Sequence, residues 1–430
     1  MKKYTEMTRE ELLAQKEELE AAYQKIKEAG VKLDMSRGRP EKRQLDLADG
    51  MLQVLNVGDD CFTEGGMDCR NYGGPVGIPE ARALMAEIME VRPDQVIVCG
   101  NASLSIMFDM VSRSFTHGVL GAVPWAKLDR VKFLCPAPGY DRHFGITEYF
   151  GVEMIPIPMK EDGPDMDLVE KLVAEDAAVK GIWCVPKYSN PQGITYSDEV
   201  VKRFAALKPA AADFRIYWDN AYCIHHLYEE PEKQAHILNI LDACASCGNP
   251  DMVYEFASTS KVSYAGGGIS AVAASEANLA EIRRHMNFQT IGHDKVNQLR
   301  HVRYFKNLDG VMQHMMKHAQ IMRPKFEAVE AVLQRELGGL GIGSWTEPKG
   351  GYFISFEALP GCAAAIVAKT KEAGVVMTGA GATYPYHKDP QDSNIRIAPS
   401  LPTPEELAAA ADIFVLSVKL VSIEKLLGAR

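Results

Sequence analysis

The segment YEFASTSKVSYAGGGISAVAAS, residues 254–275, holds the feature that decides the fold and the chemistry of this chain. Its lysine, Lys261, follows three small hydroxyl residues and precedes three glycines, in a run that otherwise has the composition of buried structure. Burying an ammonium is unfavourable unless the group is paired or loses its proton. The segment therefore predicts a buried lysine with a chemical role in a tight, glycine-lined turn.

Short apolar runs alternate with helical patterns on both sides of this lysine. The runs predict strands of a mainly parallel sheet covered by helices on both faces, because each run is apolar throughout. There are seven of them: QVIVCG (95–100), VKFLCP (131–136), EMIPIP (153–158), GIWCVP (181–186), RIYWDN (215–220), DMVYEFAS (251–258) and ISAVAAS (269–275).

Polar stretches follow five of these runs. They are GNASL (100–104), PAPGYDRHF (136–144), KYSNPQG (187–193), DNAY (219–222) and STSK (258–261). In open parallel sheets, ligands bind at the carboxyl ends of the strands. The sequence therefore predicts one site assembled from these stretches.

The two ends of the chain predict a smaller α/β domain. Thr8 and Glu11 form a capping-box pattern, and Gly30 is placed to end the helix that they begin. Residues 301–337 predict one long helix. Short strands and a capped helix follow in GGYFISFE, GVVMTG, NIRIAPS and TPEELAAAADIFVLSVKL. We expect three parts: an N-terminal helix and arm with part of the small domain (1–50), a large domain (51–320) and a C-terminal small domain (321–430).

Composition limits the classes of partner. The 430 residues include 47 basic and 57 acidic ones, a net charge of −10, which argues against nucleic acid and anionic membranes. The sequence has no run of about 18 apolar residues, as a transmembrane helix requires. Nine scattered cysteines favour a reducing cytoplasm, and CASC (244–247) is interpreted as loop or helix-end thiols. We predict no metal site.

Lys261 takes on a specific meaning together with two other motifs. Asn190 in SNPQG, Asp219 and Tyr222 in DNAY, and Lys261 in SxSK resemble the class I, fold-type I aminotransferases that depend on pyridoxal phosphate. The resemblance extends from about residue 34 to the final helix. The stretches RGRPEKRQLDLADGML, GNASLSIMFDM and HDKVNQLRHVRYF are similar to a divergent bacterial branch of aspartate aminotransferases. The resemblance implies a seven-stranded sheet in the large domain and a homodimer with shared active sites.

The resemblance also implies roles for the residues that match. Lys261 would hold pyridoxal 5'-phosphate as a Schiff base and then move the substrate's α proton. Asp219 would keep the pyridine nitrogen protonated, so that the ring accepts electrons. Asn190 and Tyr222 would hydrogen-bond the phenolic oxygen of the ring, and Tyr140 would stack on the ring.

A phosphate site is implied at the ends of the first and sixth runs. Its donors would be Asn101, Ala102, Ser103, Ser258 and Ser260. Tyr72 would reach the phosphate of the neighbouring subunit, and His143 would support Asp219 from behind. The arginine that the family has eight residues after the lysine is Ile269 here. Another basic residue or the glycine-rich backbone must therefore replace it.

On the substrate side, Arg396 in NIRIAPS matches the arginine whose planar fork binds the α-carboxylate, with Asn190 beside it. Gly38 in RGRP matches the glycine whose backbone lies over the substrate. A second carboxylate has several candidate cations that the sequence does not distinguish: Arg37, Arg39, Lys295 and Arg300.

These matches predict ping-pong amino transfer between L-aspartate and 2-oxoglutarate. An aminotransferase for alanine or aromatic amino acids, or a β-eliminating carbon–sulfur lyase, remains an alternative that shares most of these residues. A cofactor-sensing transcription regulator would need a DNA-binding module, and residues 1–33 offer one helix only. An inactive homologue would be expected to have lost Lys261 or Asp219, and both are present.

Overall fold

The computed structural model of this chain describes residues 2–56 and 61–429. The helices are α1 (Arg9–Ala29), α2 (Lys42–Asp46), α3 (Pro79–Met89), α4 (Ser103–His117), α5 (Asp141–Tyr149), α6 (Met166–Glu175), α7 (Asp198–Ala205), α8 (Ile240–Ser246), α9 (Glu276–Gln289), α10 (Lys295–Phe305), α11 (Leu308–Leu337), α12 (Ala363–Glu372) and α13 (Pro404–Gly428). The strands are β1 (Leu33–Asp34), β2 (Val96–Val98), β3 (Lys132–Ala137), β4 (Glu153–Lys160), β5 (Gly163–Pro164), β6 (Val179–Cys184), β7 (Arg215–Asp219), β8 (Val253–Ser258), β9 (Ser270–Ala274), β10 (Gly343–Trp345), β11 (Ile354–Ala358), β12 (Val375–Val376) and β13 (Asn394–Ile397).

The largest sheet has eight strands in the order β2-β9-β8-β7-β6-β3-β4-β5. Strands β8, β7, β6, β3 and β4 pair in parallel, whereas β2, β9 and β5 form antiparallel pairs at the two edges. All seven predicted strands are present. The eighth, β5, is a two-residue strand that is too short to appear as an apolar run in the sequence.

Buried side chains cover both faces of this sheet. Trp218 belongs to the buried group on one face and Tyr217 to the group on the other. This division arises because successive residues of a strand point to opposite faces. It also explains why the central strands are apolar throughout.

A third buried group lies around the three-stranded antiparallel sheet β10-β11-β13. Strand β1 pairs in parallel with β12, and α1 packs against α13, so both ends of the chain meet here. Helix α1 has the predicted capping box of Thr8 and Glu11, and it ends at Gly30 in a left-handed conformation.

Helix α11 connects the large sheet to this third group. Met315 packs in the core of the large sheet, whereas Met322 and Phe326 pack in the third group. The domain boundaries at residues 50 and 320 stay a prediction, and the core changes along α11 on either side of residue 320.

The prediction of one helix over residues 301–337 is wrong. Helix α10 ends at Phe305, and Lys306 has a φ of 68°. The side chain of Asn307 then accepts a hydrogen bond from the Gly310 amide at 3.0 Å and begins α11. Asparagine is among the most favourable residues for this capping position, and here the cap outweighs the continuous apolar periodicity.

Two features of composition have a counterpart in the structure. Within the described ranges, none of the helices combines the length and apolar character needed to cross a membrane. All nine cysteines carry free thiols. Cys244 lies in α8, and Cys247 directly follows that helix.

A buried ion pair stabilises the edge of the sheet at which the strands begin. Lys180 Nζ donates to Asp213 Oδ1 at 2.6 Å, and Trp125 Nε1 donates to Asp213 Oδ2 at 2.8 Å. The side chains of Lys180 and Asp213 are only 10% and 5% exposed. Removing Asp213 therefore leaves a buried ammonium and a buried indole N–H without their acceptor.

We expect Asp213→Ala to lower the free energy of unfolding by about 3–5 kcal/mol, because the buried ammonium loses its partner. Urea unfolding followed by circular dichroism measures this loss. The control is Glu153→Ala, which breaks the exposed pair with Arg130 and should cost less than about 1 kcal/mol. Equal losses in the two variants would contradict the assignment.

Candidate active site

Four neighbouring parallel strands end at one edge of the large sheet. Asp219 is the last residue of β7, and Tyr140, Asn190 and Lys261 follow β3, β6 and β8. Since parallel neighbours end at the same edge, residues from four distant segments come together. The fold therefore brings these polar stretches together at the carboxyl ends of the strands, as the sequence predicts.

Asp219 occupies the centre of this edge and is 2% exposed. Its Oδ2 lies 2.9 Å from Nε2 of His143, whose ring stacks on Trp183 with 4.6 Å between the ring centroids. Its Oδ1 is buried and has no hydrogen-bond partner in residues 2–56 and 61–429. A buried carboxylate oxygen without a donor is costly, so this position suits a ligand that brings an N–H group.

Lys261 lies three residues beyond the end of β8. Its Nζ is 5.1 Å from the ring centroid of Tyr222 and 5.9 Å from that of Tyr352. Among the described residues, none forms a hydrogen bond or an ion pair with this ammonium. The prediction of a buried lysine is wrong in degree. Lys261 is half-buried, and it lies beside the carboxyl ends of the strands rather than inside the sheet.

Two tyrosines beside Lys261 keep their hydroxyl protons. Burial raises the pKa of Tyr140 to about 12, although the positive charge of Lys261 acts in the opposite direction. The pKa of Tyr222 is also raised, mainly by burial and then by the charge of Asp219. Both hydroxyls are therefore available as hydrogen-bond donors at neutral pH.

The turn before α4 lies against the turn that carries Lys261. Ser260 Oγ donates to the Asn101 carbonyl at 2.8 Å, and Ser258 Oγ lies 3.2 Å from Ser260 Oγ. Ala102 caps α4 without a side-chain hydrogen bond, so the amides of Ser103 and Leu104 are open to a ligand, whereas the Ser105 amide donates to the Ala102 carbonyl. The structure thus brings together all five predicted phosphate-binding residues.

Ile269 does not face this turn. Its side chain is buried in the core, and its amide donates to Thr259 Oγ1 at 2.9 Å. The preceding residue, Gly268, is packed so closely that an added Cβ would lie 3.0 Å from Thr259 Oγ1 and 3.1 Å from the Ser260 amide nitrogen. This packing leaves little room for a side chain at Gly268, and either another basic residue or the glycine-rich backbone stays the predicted replacement for the arginine.

Arg396 reaches the same edge from β13 of the smaller sheet. Its Nη1 donates to Asn190 Oδ1 and to Asp141 Oδ1, each at 3.1 Å. The guanidinium lies 4.8 Å from the ring centroid of Phe353. A Cβ on Gly38 would collide with the Cζ end of the Phe353 ring, so only glycine allows the backbone to approach so closely.

Several predicted residues lie outside this buried group. The ring of Tyr72 is 82% exposed, and Arg37 and Arg39 are exposed as well. Lys295 donates to the carbonyl of the residue after Tyr72 at 2.8 Å. Arg300 donates to an asparagine of its own helix at 2.9 Å. Arg37 and Arg39 flank Gly38, whose backbone lies against Phe353, whereas Lys295 and Arg300 bind other groups.

Four residues near the site were missed by sequence reasoning: Asp141, His225, Tyr352 and Phe353. Asp141 directly follows Tyr140 in the quoted motif, His225 lies three residues beyond Tyr222, and Tyr352 and Phe353 belong to the predicted strand GGYFISFE. His225 is 4% exposed, and within the described ranges neither of its ring nitrogens has a hydrogen-bond partner. Burial, and next the charge of Lys261, hold its pKa well below the usual value. The sequence does not reveal these contacts, because the residues belong to chain segments that are adjacent only in the folded structure.

Comparison with known proteins gives the family. The family model described as "Aspartate amino-transferase" matches residues 7–430. A putative aminotransferase of Mycolicibacterium smegmatis is 47% identical over 99% of both chains. An aspartate aminotransferase of Corynebacterium glutamicum is 45% identical over 95% of this chain and 94% of its own length.

A solved structure gives the same result. The crystal structure of an aspartate transaminase from Corynebacterium glutamicum has a TM-score of 0.96 and 43% identity, and the match covers 99% of both chains. The predicted fold-type I architecture is thereby confirmed. The chain is an aminotransferase that belongs to the aspartate amino-transferase family.

Proposed function

We propose that this protein transfers an amino group between L-aspartate and 2-oxoglutarate by a ping-pong mechanism with pyridoxal 5'-phosphate. The observation that carries the proposal is the buried Asp219 Oδ1, an acceptor without a donor, in one cluster with the Lys261 amine and the Arg396 guanidinium. The names of the relatives from Corynebacterium glutamicum support aspartate as the amino donor.

The residues at the strand ends suit this cofactor. A protonated ring nitrogen would give Asp219 Oδ1 the donor that it lacks. The open amides at the start of α4 would bind the phosphate, since a helix N-terminus favours an anion. When bound, the cofactor supplies an electron-accepting ring that stabilises negative charge at the α-carbon of the amino acid.

Asp219 and His143 would hold the proton on the ring nitrogen. A carboxylate only accepts hydrogen bonds, so Nε2 of His143 carries the proton in the 2.9 Å contact with Asp219 Oδ2. This bond fixes one oxygen of Asp219 and leaves the other aimed at the ligand. The negative charge of Asp219 then favours the protonated ring.

Tyr222 and Asn190 would bind the phenolic oxygen of the ring. The raised pKa of Tyr222 keeps its hydroxyl protonated, so it donates to that oxygen. Tyr140, whose hydroxyl is also protonated, would cover the ring face. These contacts orient the cofactor relative to Lys261.

Lys261 would act first as the nucleophile and then as the base that moves the α proton. Among the described residues, none provides a carboxylate that pairs with Nζ, and aromatic rings surround it. Within the described residues, no ion pair therefore has to be broken before Lys261 reacts. The amine is thus free to attack a carbonyl carbon and afterwards to accept a proton.

Arg396 would bind the α-carboxylate of the substrate, and Asn190 would hold the guanidinium in place through the 3.1 Å contact. Phe353 lies against the guanidinium, and Gly38 lies against Phe353. This stack fixes the plane of the fork and hence the orientation of the carboxylate. The candidates for binding a second carboxylate are still Arg37, Arg39, Lys295 and Arg300.

The active unit would be a homodimer in which Tyr72 serves the phosphate of the partner subunit. Tyr72 is 82% exposed, and the nearby Phe288 and Ile291 are 89% and 65% exposed. The loop of Tyr72 contacts the loop of Ile291. Lys295 donates to the carbonyl of Gly73, and Gly292 packs against the same carbonyl. Large exposed apolar side chains are typical of an interface. The free thiols support a cytoplasmic location.

We expect Lys261→Ala to reduce turnover with L-aspartate and 2-oxoglutarate by at least roughly a thousandfold, because the nucleophile and the proton carrier are lost together. Initial rates measure the loss, and absorbance after denaturation and gel filtration shows whether the cofactor is covalently held. The variant should bind the cofactor only non-covalently.

The control is Lys202→Ala, which removes an exposed lysine of α7 and should leave turnover unchanged. Normal turnover in Lys261→Ala would contradict the role of this lysine. Release of pyruvate or ammonia from β-substituted amino acids by the wild type would favour the lyase instead.

For the dimer, we expect sedimentation to give twice the mass of the chain and Tyr72→Phe to weaken cofactor binding about fivefold, since one hydrogen bond contributes about 1 kcal/mol. Tyr149→Phe, at another exposed tyrosine, is the control and should bind the cofactor normally. A fully active monomer would rule out the shared site.

A further inference from the structure

Asp141 already occupies the guanidinium that would bind substrate. Its Oδ1 lies 3.1 Å from Nη1 of Arg396, the same nitrogen that contacts Asn190. The Arg396 side chain is 8% exposed and that of Asp141 is 29% exposed. The ion pair is therefore partly shielded from solvent on the arginine side and open on the aspartate side.

The pair joins two separate parts of the fold. Asp141 is the first residue of α5, which packs beside β4 of the large sheet, whereas Arg396 lies on β13 of the smaller sheet. On its open side, Asp141 lines a groove of about 550 Å³ between α4 and α5. A displaced carboxylate thus has open space next to it.

Asp141 does not depend on Arg396 for stabilisation. As the first residue of a helix, its carboxylate lies near the positive end of the helix dipole, which favours a negative charge there. The cost of releasing Arg396 is therefore lowered. A substrate carboxylate can therefore displace Asp141 from the guanidinium more easily.

We propose that Asp141 is a displaceable counter-ion of Arg396 that sets the affinity of the site for carboxylates. Without substrate, the Asp141 carboxylate neutralises the buried guanidinium, and Asn190 adds an uncharged acceptor to the same nitrogen. An incoming carboxylate takes over Arg396 and remains subject to repulsion by Asp141. The inference rests on the proposed role of Arg396 in binding substrate.

The charge of Asp141 extends further into the site. It contributes, after burial and the charge of Asp219, to the raised pKa of Tyr222. It makes a similar, last-ranking contribution at Tyr140. Asp141 therefore lies close enough to act on groups that surround the ligand, and not on Arg396 alone.

The experiment measures succinate binding to the cofactor-loaded dimer by calorimetry. Asp141→Asn keeps the shape and removes the charge, and we expect succinate to bind roughly two- to fivefold more tightly, the scale of a partly exposed ion pair. The KM for L-aspartate should fall by a similar factor while kcat does not rise. Asp141→Ser, also compatible with a helix start, should act in the same direction.

The matched control is Asp198→Asn, which removes a carboxylate from the first position of α7, where the residue is exposed. Its succinate affinity should equal that of the wild type. Tighter binding in both variants would indicate a general charge effect and would overturn the inference.

Arg396→Met tests the role of Arg396 separately from that of Asp141. If this variant loses succinate binding while both Asp141 variants bind succinate as the wild type does, only the role of Asp141 is wrong. If Arg396→Met binds succinate normally, the proposed role of Arg396 fails, and the inference about Asp141 fails with it.

Discussion

A buried carboxylate with one oxygen bonded and the other free is the constraint on which the site depends. His143 fixes Asp219 Oδ2, and Trp183 fixes the ring of His143. Such a carboxylate is tolerated in a folded protein when a ligand supplies the missing donor. The position of Asp219 at the end of β7 then places that ligand between the turns that follow β3, β6 and β8.

Two cores cooperate to complete the site. The large sheet supplies the groups that would hold the cofactor, and the smaller sheet supplies Arg396. The guanidinium is held by Asn190 and Asp141 from the large sheet and by Phe353 from its own. Binding of a substrate carboxylate would therefore change the contacts that join the two parts of the fold.

The sequence predicts the strands and most of the site because these depend on local patterns. Continuous apolar runs gave all seven main strands, and the polar stretches after them contained Asp219, Asn190, Tyr140 and Lys261. The break at Lys306 was missed because helical periodicity continues through it. Asp141 was missed because its partner is Arg396, which lies far away in the chain and reaches it only across the two sheets.

The central claim is that Lys261, Asp219 and Arg396 form a site for amino transfer from aspartate. The most direct test is the absorbance spectrum of the purified, cofactor-loaded protein before and after addition of L-aspartate without any oxo acid. We predict that the visible band of the lysine-bound cofactor gives way to that of its amine form, and that 2-oxoglutarate restores it. A band that L-aspartate leaves unchanged would contradict the account.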